Sequence, residues 1–343
     1  MPTVNHPELF PLASSWWLYL LFCFFILFAL FIDLKKREGT EHVIGHREAI
    51  LNVLFWIALA LIFCGCLYAY AFFRFPVDPR LAGCDTRFLA KQCTLEFLSG
   101  YLIEKSLSID NLFIFLVVFD FFAIPEKFRH RILFYGILGA LIFRGIFIAI
   151  GAALMQIVWV PVVFGIFLFL TGLKVAFGAD SHPDPSKNPM IRAIKHLLPI
   201  IPELRSGSFF VKKNDKWFGT PLLLALLFIE VTDVIFALDS VPAIFAITRE
   251  PFIVFTSNVF AILGLRALYF LLAGMVSNFH YLKYGLGFIL AFVGVKMSWL
   301  DHHFGGRFPT GYSLGIIVIA LLFSGVASWL FPPRDKIVKM GAK

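Results

Sequence analysis

The chain has 343 residues, of which 59% are hydrophobic and 15% charged, with 43 Phe and a formal net charge of +8. Soluble domains carry about 45–50% apolar and about 25% charged residues, so this balance excludes a cytosolic enzyme, a disordered regulator and a disulfide-built secreted domain. The basic residues lie in short loops between long apolar runs rather than along one stripe, which favours membrane topology over a nucleic-acid partner.

Nine apolar runs follow one another, at approximately 16–34, 50–73, 96–119, 131–154, 157–177, 220–247, 252–275, 283–299 and 312–331. A hydrocarbon core of about 30 Å takes roughly 20 helical residues to cross. Lipid offers no partner for free backbone groups, and the runs are too long and continuous for barrel strands. The expected fold is therefore an all-α polytopic membrane protein of about nine transmembrane helices. The first run lacks a basic segment before it and a small-residue cleavage site after it, and so reads as a retained anchor. Lys35, Lys36 and Arg37 follow that run. By the positive-inside rule they place the N-terminus outside, and the later loops then place the C-terminus in the cytoplasm.

Residues 1–95 contain two peripheral spans and an outer loop that carries Cys84 and Cys93. Residues 96–177 and 220–299 each contain three spans, and 300–343 hold the ninth and a basic tail. Between the two triplets, residues 178–219 read as a solvated cytoplasmic linker rich in Pro and Lys. Its Lys212, Lys213 and Lys216 read as orientation charge in contact with lipid headgroups.

The triplets resemble each other. Glu104 to Asn111 reads EKSLSIDN and Asp233 to Ser240 reads DVIFALDS, an acid, an Asp six residues on, then a small polar side chain. Arg144 and Arg266 lie mid-span, and each is followed at the same interval by a Gly-x-Lys step, ending at Lys174 and Lys296. Three spans are an odd number, so the second copy enters the membrane from the opposite side. The expectation is an inverted 3+3 repeat about a pseudo-two-fold axis in the membrane plane.

The spans carry the acids Glu104, Asp110, Glu230, Asp233 and Asp239 and the bases Lys105, Arg144, Lys174, Arg266 and Lys296. A charge at the centre of a lipid-facing helix costs about 2.5–3.5 kcal/mol on insertion scales, so these side chains face one another or a wet cavity. Arg144 and Arg266 are expected to hold carboxylates, whereas Lys174 and Lys296, near span ends, are placed to snorkel. Opposite insertion of the triplets sets Glu104 level with Asp239 in an outer layer and Asp110 level with Asp233 in an inner one, with Glu230 on the inner face. Like carboxylates at low dielectric do not all stay ionised, so a cation or protons should occupy such layers. Pro242 is expected to free a backbone carbonyl inside its span. All nine His lie in loops or at their edges, which leaves oxygen donors such as Ser106, Ser108, Asn111, Thr232 and Ser240 beside the acids. An oxygen cage suits Mn2+, Mg2+ or Ca2+.

The segments EKSLSIDNLFIF from Glu104, EVTDVIFALDSVPAIFAIT from Glu230, TSNVFAILGLRALYF from Thr256 and HYLKYGLGFILAFVGVKM from His280 resemble the TerC family, and most closely its Alx branch. The likeness spans roughly residues 90–300. It implies a bacterial inner-membrane protein linked to tellurium resistance, alkaline response and manganese export. It also implies that Glu104, Asp110, Asn111, Glu230, Asp233, Asp239 and Ser240 handle the metal, with Arg144, Arg266, Lys174 and Lys296 as supporting charges.

The reading is a Mn2+ efflux transporter driven by proton exchange, not an enzyme, with no bound cofactor and no obligate protein partner. Two alternatives stay open. One is a scaffold or insertion partner in which the charges only lock the bundle. The other is an intramembrane hydrolase, against which stands the lack of His-Glu-x-x-His and Gly-x-Ser-x-Gly motifs.

Overall fold

The computed structural model describes residues 8–35, 46–157, 159–177, 207–213, 216–272, 281–303 and 308–330. The chain forms helices α1 (Leu12–Lys35), α2 (His46–Arg74), α3 (Thr86–Phe121), α4 (Glu126–Leu154) and α5 (Val160–Phe177). A short hairpin, β1 (Phe210–Lys213) and β2 (Lys216–Gly219), precedes α6 (Pro221–Phe245), α7 (Pro251–Leu263), α8 (Leu265–Leu272), α9 (Leu282–Val295) and α10 (Thr310–Leu330). Among the described residues eight segments are long and apolar enough to cross a membrane, with α7 and α8 together making one of them. The 36-residue α3 is a ninth of sufficient length.

Helix starts follow local chemistry. The Asp85 carboxylate accepts from the backbone N–H groups of Arg87 and Phe88, both at 3.1 Å, and so caps α3. Pro221 and Pro251 open α6 and α7, where a missing N–H costs nothing. Residues 207–219, expected as solvated linker, instead contain the antiparallel hairpin that leads into α6, with Phe210 paired to Gly219. The linker's remainder, 178–206, lies outside the described residues, as do the side chains of Lys213 and Lys216.

α7 is the central helix. In the span Pro251–Leu271, 89% of the most apolar window is buried, against 22% for the α1 span and 17% for the α10 span. Helices that turn Leu20, Phe24, Phe28 and Phe31, or Ile319, Leu322 and Phe323, outward present apolar side chains to lipid. Phe22, Phe63 and Phe97 meet Phe260 of α7 in one aromatic cluster.

The break in a helix falls in a different place from the one expected. α6 runs through Pro242 to Phe245 without interruption of its helical backbone. The interruption comes at Gly264, where α7 ends and α8 begins.

α5 and α9 approach backbone to backbone. A side-chain carbon added at Gly165 would lie 2.8 Å from the Gly294 carbonyl oxygen, and one at Gly172 would lie 2.6 Å from that of Gly287. Small residues at such crossings let two membrane helices touch along their main chains. The glycines of both Gly-x-Lys steps are therefore packing residues. After Val295 the α9 helix widens into a π turn, Lys296–Leu300.

A buried charge cluster around Arg144 as the candidate functional site

Four helices contribute to one polar cluster. α3 brings Glu104 and Asn111, α4 brings Arg144, α6 brings Asp233 and Ser240, and α7 brings Asn258. All are buried, Arg144 at 2% exposed and Glu104 at 0%.

The guanidinium organises the cluster. Arg144 Nη1 donates to Glu104 Oε1, to Ser240 Oγ at 3.2 Å and to Asn258 Oδ1 at 3.1 Å. Its Nη2 donates to Asp233 Oδ1 at 3.2 Å and its Nε to Asp233 Oδ2 at 3.4 Å. Asn258 Nδ2 donates to Glu104 Oε2 at 3.3 Å, and Asn111 Nδ2 donates to Asp233 Oδ1 at 3.3 Å. One planar, permanently charged fork thus serves two carboxylates, which a flexible lysine would do poorly.

Glu104 and Asp233, expected in separate outer and inner layers, therefore belong to one cluster. The reason is the breadth of the guanidinium, which spans the step between them. The expected partners Asp110 and Asp239 sit in the helical stretches of α3 and α6, but their side chains lie outside the described residues. Among the described residues no group of three or more His, Cys, Asp or Glu side chains is placed to hold a metal ion.

Three polar atoms beside the cluster have no hydrogen-bond partner among the described residues: Ser108 Oγ, Asn111 Oδ1 and Glu230 Oε2. Glu230 stands one turn before Asp233, and Gly139 of α4 leaves the space its carboxylate fills. Of the other donors considered, Ser106 and Thr232 spend their hydroxyls on the carbonyls of Leu102 and Phe228, each at 2.6 Å.

The remaining bases divide. Lys174 is exposed, as snorkelling requires. Lys296 is not a snorkelling side chain: it is buried in the π turn, donates to the Ala246 carbonyl at the end of α6, and stands 3.9 Å from Asp301 Oδ1. Its position near a span end misled the expectation because the facing helix ends there too, offering an unpaired carbonyl. Arg266 is buried at the first turn of α8. Lys105 turns away from the cluster and donates to the Ala261 carbonyl at 3.3 Å.

Two groups escaped sequence reasoning. Asn258 is a neutral amide in an apolar run, and its only signal was the polar triplet Thr256, Ser257, Asn258, all of it fully buried. The second is a buried network in which Glu96 accepts from Thr248 Oγ1 at 2.5 Å and from Gln92 Nε2 at 2.9 Å. Beside it, Glu250 accepts from the backbone N–H groups of Leu9 and Phe10. Cys84 is exposed, Cys93 is buried, and both are free thiols.

These features define a polytopic helical membrane protein with ionisable groups gathered in the interior of its bundle. The model of the TerC family of integral membrane proteins matches residues 89–336, and the chain belongs to that family. It is 41% identical to STKORF319, a membrane protein of Myxococcus xanthus, over 94% of each chain. It is 41% identical to Alx of Salmonella typhi and 40% identical to Alx of Escherichia coli (strain K12), each over 91% of this chain and 93% of the relative. Both Alx proteins are described as candidate membrane-bound redox modulators. No solved structure matches the chain.

Proposed function

We propose that the chain exports a divalent cation, manganese(II), from a bacterial cell in exchange for protons. The observation that carries this reading is the Arg144 cluster, where two buried carboxyl groups share one guanidinium and so hold one acid more than that cation offsets. A buried excess charge is costly unless a cation or a proton offsets it. The oxygens of Asn111, Ser108 and Glu230, without partners among the described residues, add hard donors to that cluster, the ligand type that suits Mn2+. Asp110 and Asp239, next in sequence to Asn111 and Ser240, belong to the proposed set on the sequence pattern alone.

The inverted repeat belongs to this proposal and has support from two contacts. Asn111 meets Asp233 while Glu104 and Ser240 share Arg144, so the two similar segments run antiparallel with matched ends. The pairs Gly165 with Gly294 and Gly172 with Gly287 cross in the same reciprocal way. We place the protein in the inner membrane with the N-terminus outside and the C-terminus in the cytoplasm, on the loop charges.

Family and relatives' names point to a membrane transporter or modulator rather than an enzyme. A redox role through the chain's own thiols has little support, since all five cysteines are free and none touches the cluster. One observation favours a second reading: Arg144 is fully engaged by its neighbours, as it would be in a scaffold whose charges only lock the helices.

Inside-out vesicles separate the two. Wild-type vesicles should accumulate Mn2+ under a pH gradient, and Asp233→Asn vesicles at equal protein level should not. Uptake no greater than in vesicles without the protein, or undiminished uptake in Asp233→Asn, would sink the export reading.

A further inference from the structure

The hairpin β1–β2 ends one residue before α6 begins, so that helix fixes its place relative to the membrane. A residue spans at most about 3.6 Å, which keeps the Trp217 backbone within about 14 Å of Pro221, where the helix starts. α6 opens on PLLLALLF, without a polar turn, and so meets hydrocarbon at once. The hairpin therefore lies at the depth of the headgroups.

Its base is fastened to two helices. Thr220 Oγ1 donates to the Ser208 carbonyl at 2.8 Å, and the Thr220 N–H donates to the Phe209 carbonyl at 3.1 Å. From α4, Arg131 Nη1 donates to the Gly207 carbonyl at 3.0 Å and the guanidinium lies over the Phe209 ring at 5.6 Å. Tyr135 meets the same ring edge-on at 5.2 Å. α4 and α6 run side by side in the same direction, with Gly136 beside Ile229 near one end and Gly151 beside Phe245 near the other. Both helices thus begin at the end of the bundle where the hairpin sits.

Strand alternation gives the hairpin two unlike faces. The register pairs Phe210 with Gly219 and Lys212 with Trp217, which puts Phe210, Lys212 and Trp217 on one face, and Val211 with Phe218 on the other. Phe210 is 46% exposed, Trp217 63% exposed and Lys212 exposed, whereas Val211 and Phe218 are half-buried. Aromatic rings left uncovered at the end of a membrane helix settle among headgroups, where one part of the ring system is apolar and the other wet. Positive charge surrounds them, since residues 126–131 and 207–219 hold six Lys and Arg against Glu126 and Asp215. Rings and excess cations on one surface complement anionic headgroups better than zwitterionic ones. An acidic protein partner would have to displace headgroups that already adjoin the span.

We propose that the Phe210, Lys212 and Trp217 face of the hairpin binds anionic lipid, with the two rings sunk among the headgroups and Lys212 against their phosphates. Because the hairpin is fastened to α4 and α6, lipid bound there steadies the first turns of the two helices that carry Arg144 and Asp233. The surface stands or falls independently of the export reading.

The test uses the full-length chain in nanodiscs of one composition, equal parts phosphatidylglycerol and phosphatidylcholine, with bromine on the acyl chains of one lipid or of the other. The chain has seven Trp, so the Trp217 contribution to fluorescence is the difference between wild type and Trp217→Phe. Bromine on phosphatidylglycerol should quench that contribution about twofold more than bromine on phosphatidylcholine, and salt at about 0.5 M should erase the preference. The combined Lys212→Gln, Lys213→Gln and Lys216→Gln variant should erase it at low salt. The salt arm leaves the lysines in place and decides the matter should that variant fail to fold. Equal quenching by the two lipids, or a preference that survives either treatment, overturns the proposal. So does a Trp217 contribution that neither lipid quenches, the result expected if a protein covers the face instead.

Discussion

Asn111 donates its amide N–H to Asp233 Oδ1 at 3.3 Å, so its own carbonyl oxygen points elsewhere and meets no donor among the described residues. The orientation is chemically forced, because a carboxylate accepts from nitrogen and not from oxygen. Asn111→Leu keeps the bulk and removes both the donor and the waiting acceptor. The expected loss of stability is about 1–2 kcal/mol. Any stabilisation by added Mn2+ should shrink along with it, and paired melting curves with and without metal will read both effects.

Arg144 should be the least replaceable residue of the bundle. Arg144→Gln leaves two buried carboxylates without their cation, a change that costs about 3–5 kcal/mol. Adding Glu104→Gln to it removes one of the stranded charges and should recover part of the loss, so the two substitutions will not add. Thermal unfolding midpoints of the four proteins in detergent give the coupling directly. Strict additivity would show that Glu104 and Arg144 act separately.

Glu230 is placed to be spent on function rather than on folding. Its Oε2 has no hydrogen-bond partner among the described residues and its carboxylate lies over Gly139. Glu230→Gln should leave the melting midpoint nearly unchanged and raise the Mn2+ concentration for half-maximal transport about tenfold. Gly139→Val, which pushes a side chain into the space the carboxylate fills, should have a similar effect through a different residue.

Outside the spans, Asp78 and Arg80 form a fork-shaped pair, with Arg80 Nη2 at 2.5 Å from Asp78 Oδ2. The hydrogen-bonded Arg80 guanidinium holds the Asp78 carboxyl down at about 2, from an ordinary value of 3.8. A depressed acid contributes stability above its ordinary value and loses it as pH falls through the depressed one. Asp78→Asn should therefore cost stability at pH 5, by less than about 1 kcal/mol for a pair at the surface, and the cost should shrink as the pH falls toward and through 2. Transport should be unaffected at either pH.

The spans were legible because lipid demands long apolar runs, and every expected run contains a helix. Arg144 and Glu104 were legible for the converse reason, as charges stranded in such runs. Asn258 was not, since an uncharged amide barely disturbs an apolar average and only its contacts with Arg144 and Glu104 reveal it. The breadth of a guanidinium was also invisible, and with it the merging of Glu104 and Asp233 into one cluster. The helix break was sought at Pro242, where chemistry advertises one, and found at Gly264, where nothing but tertiary contact with Lys105 and Trp56 marks it.

With four glycines paired at two crossing points, α5 and α9 have main chains too close for either to slide or roll without collision. The two are in effect a single beam. If the proposed exchange reading holds, we expect the rearrangement it requires to leave that beam intact and to fall at the seam where α7 gives way to α8. Spin labels on α5 and α9 should accordingly keep a constant separation throughout turnover, while labels on either side of Gly264 should not.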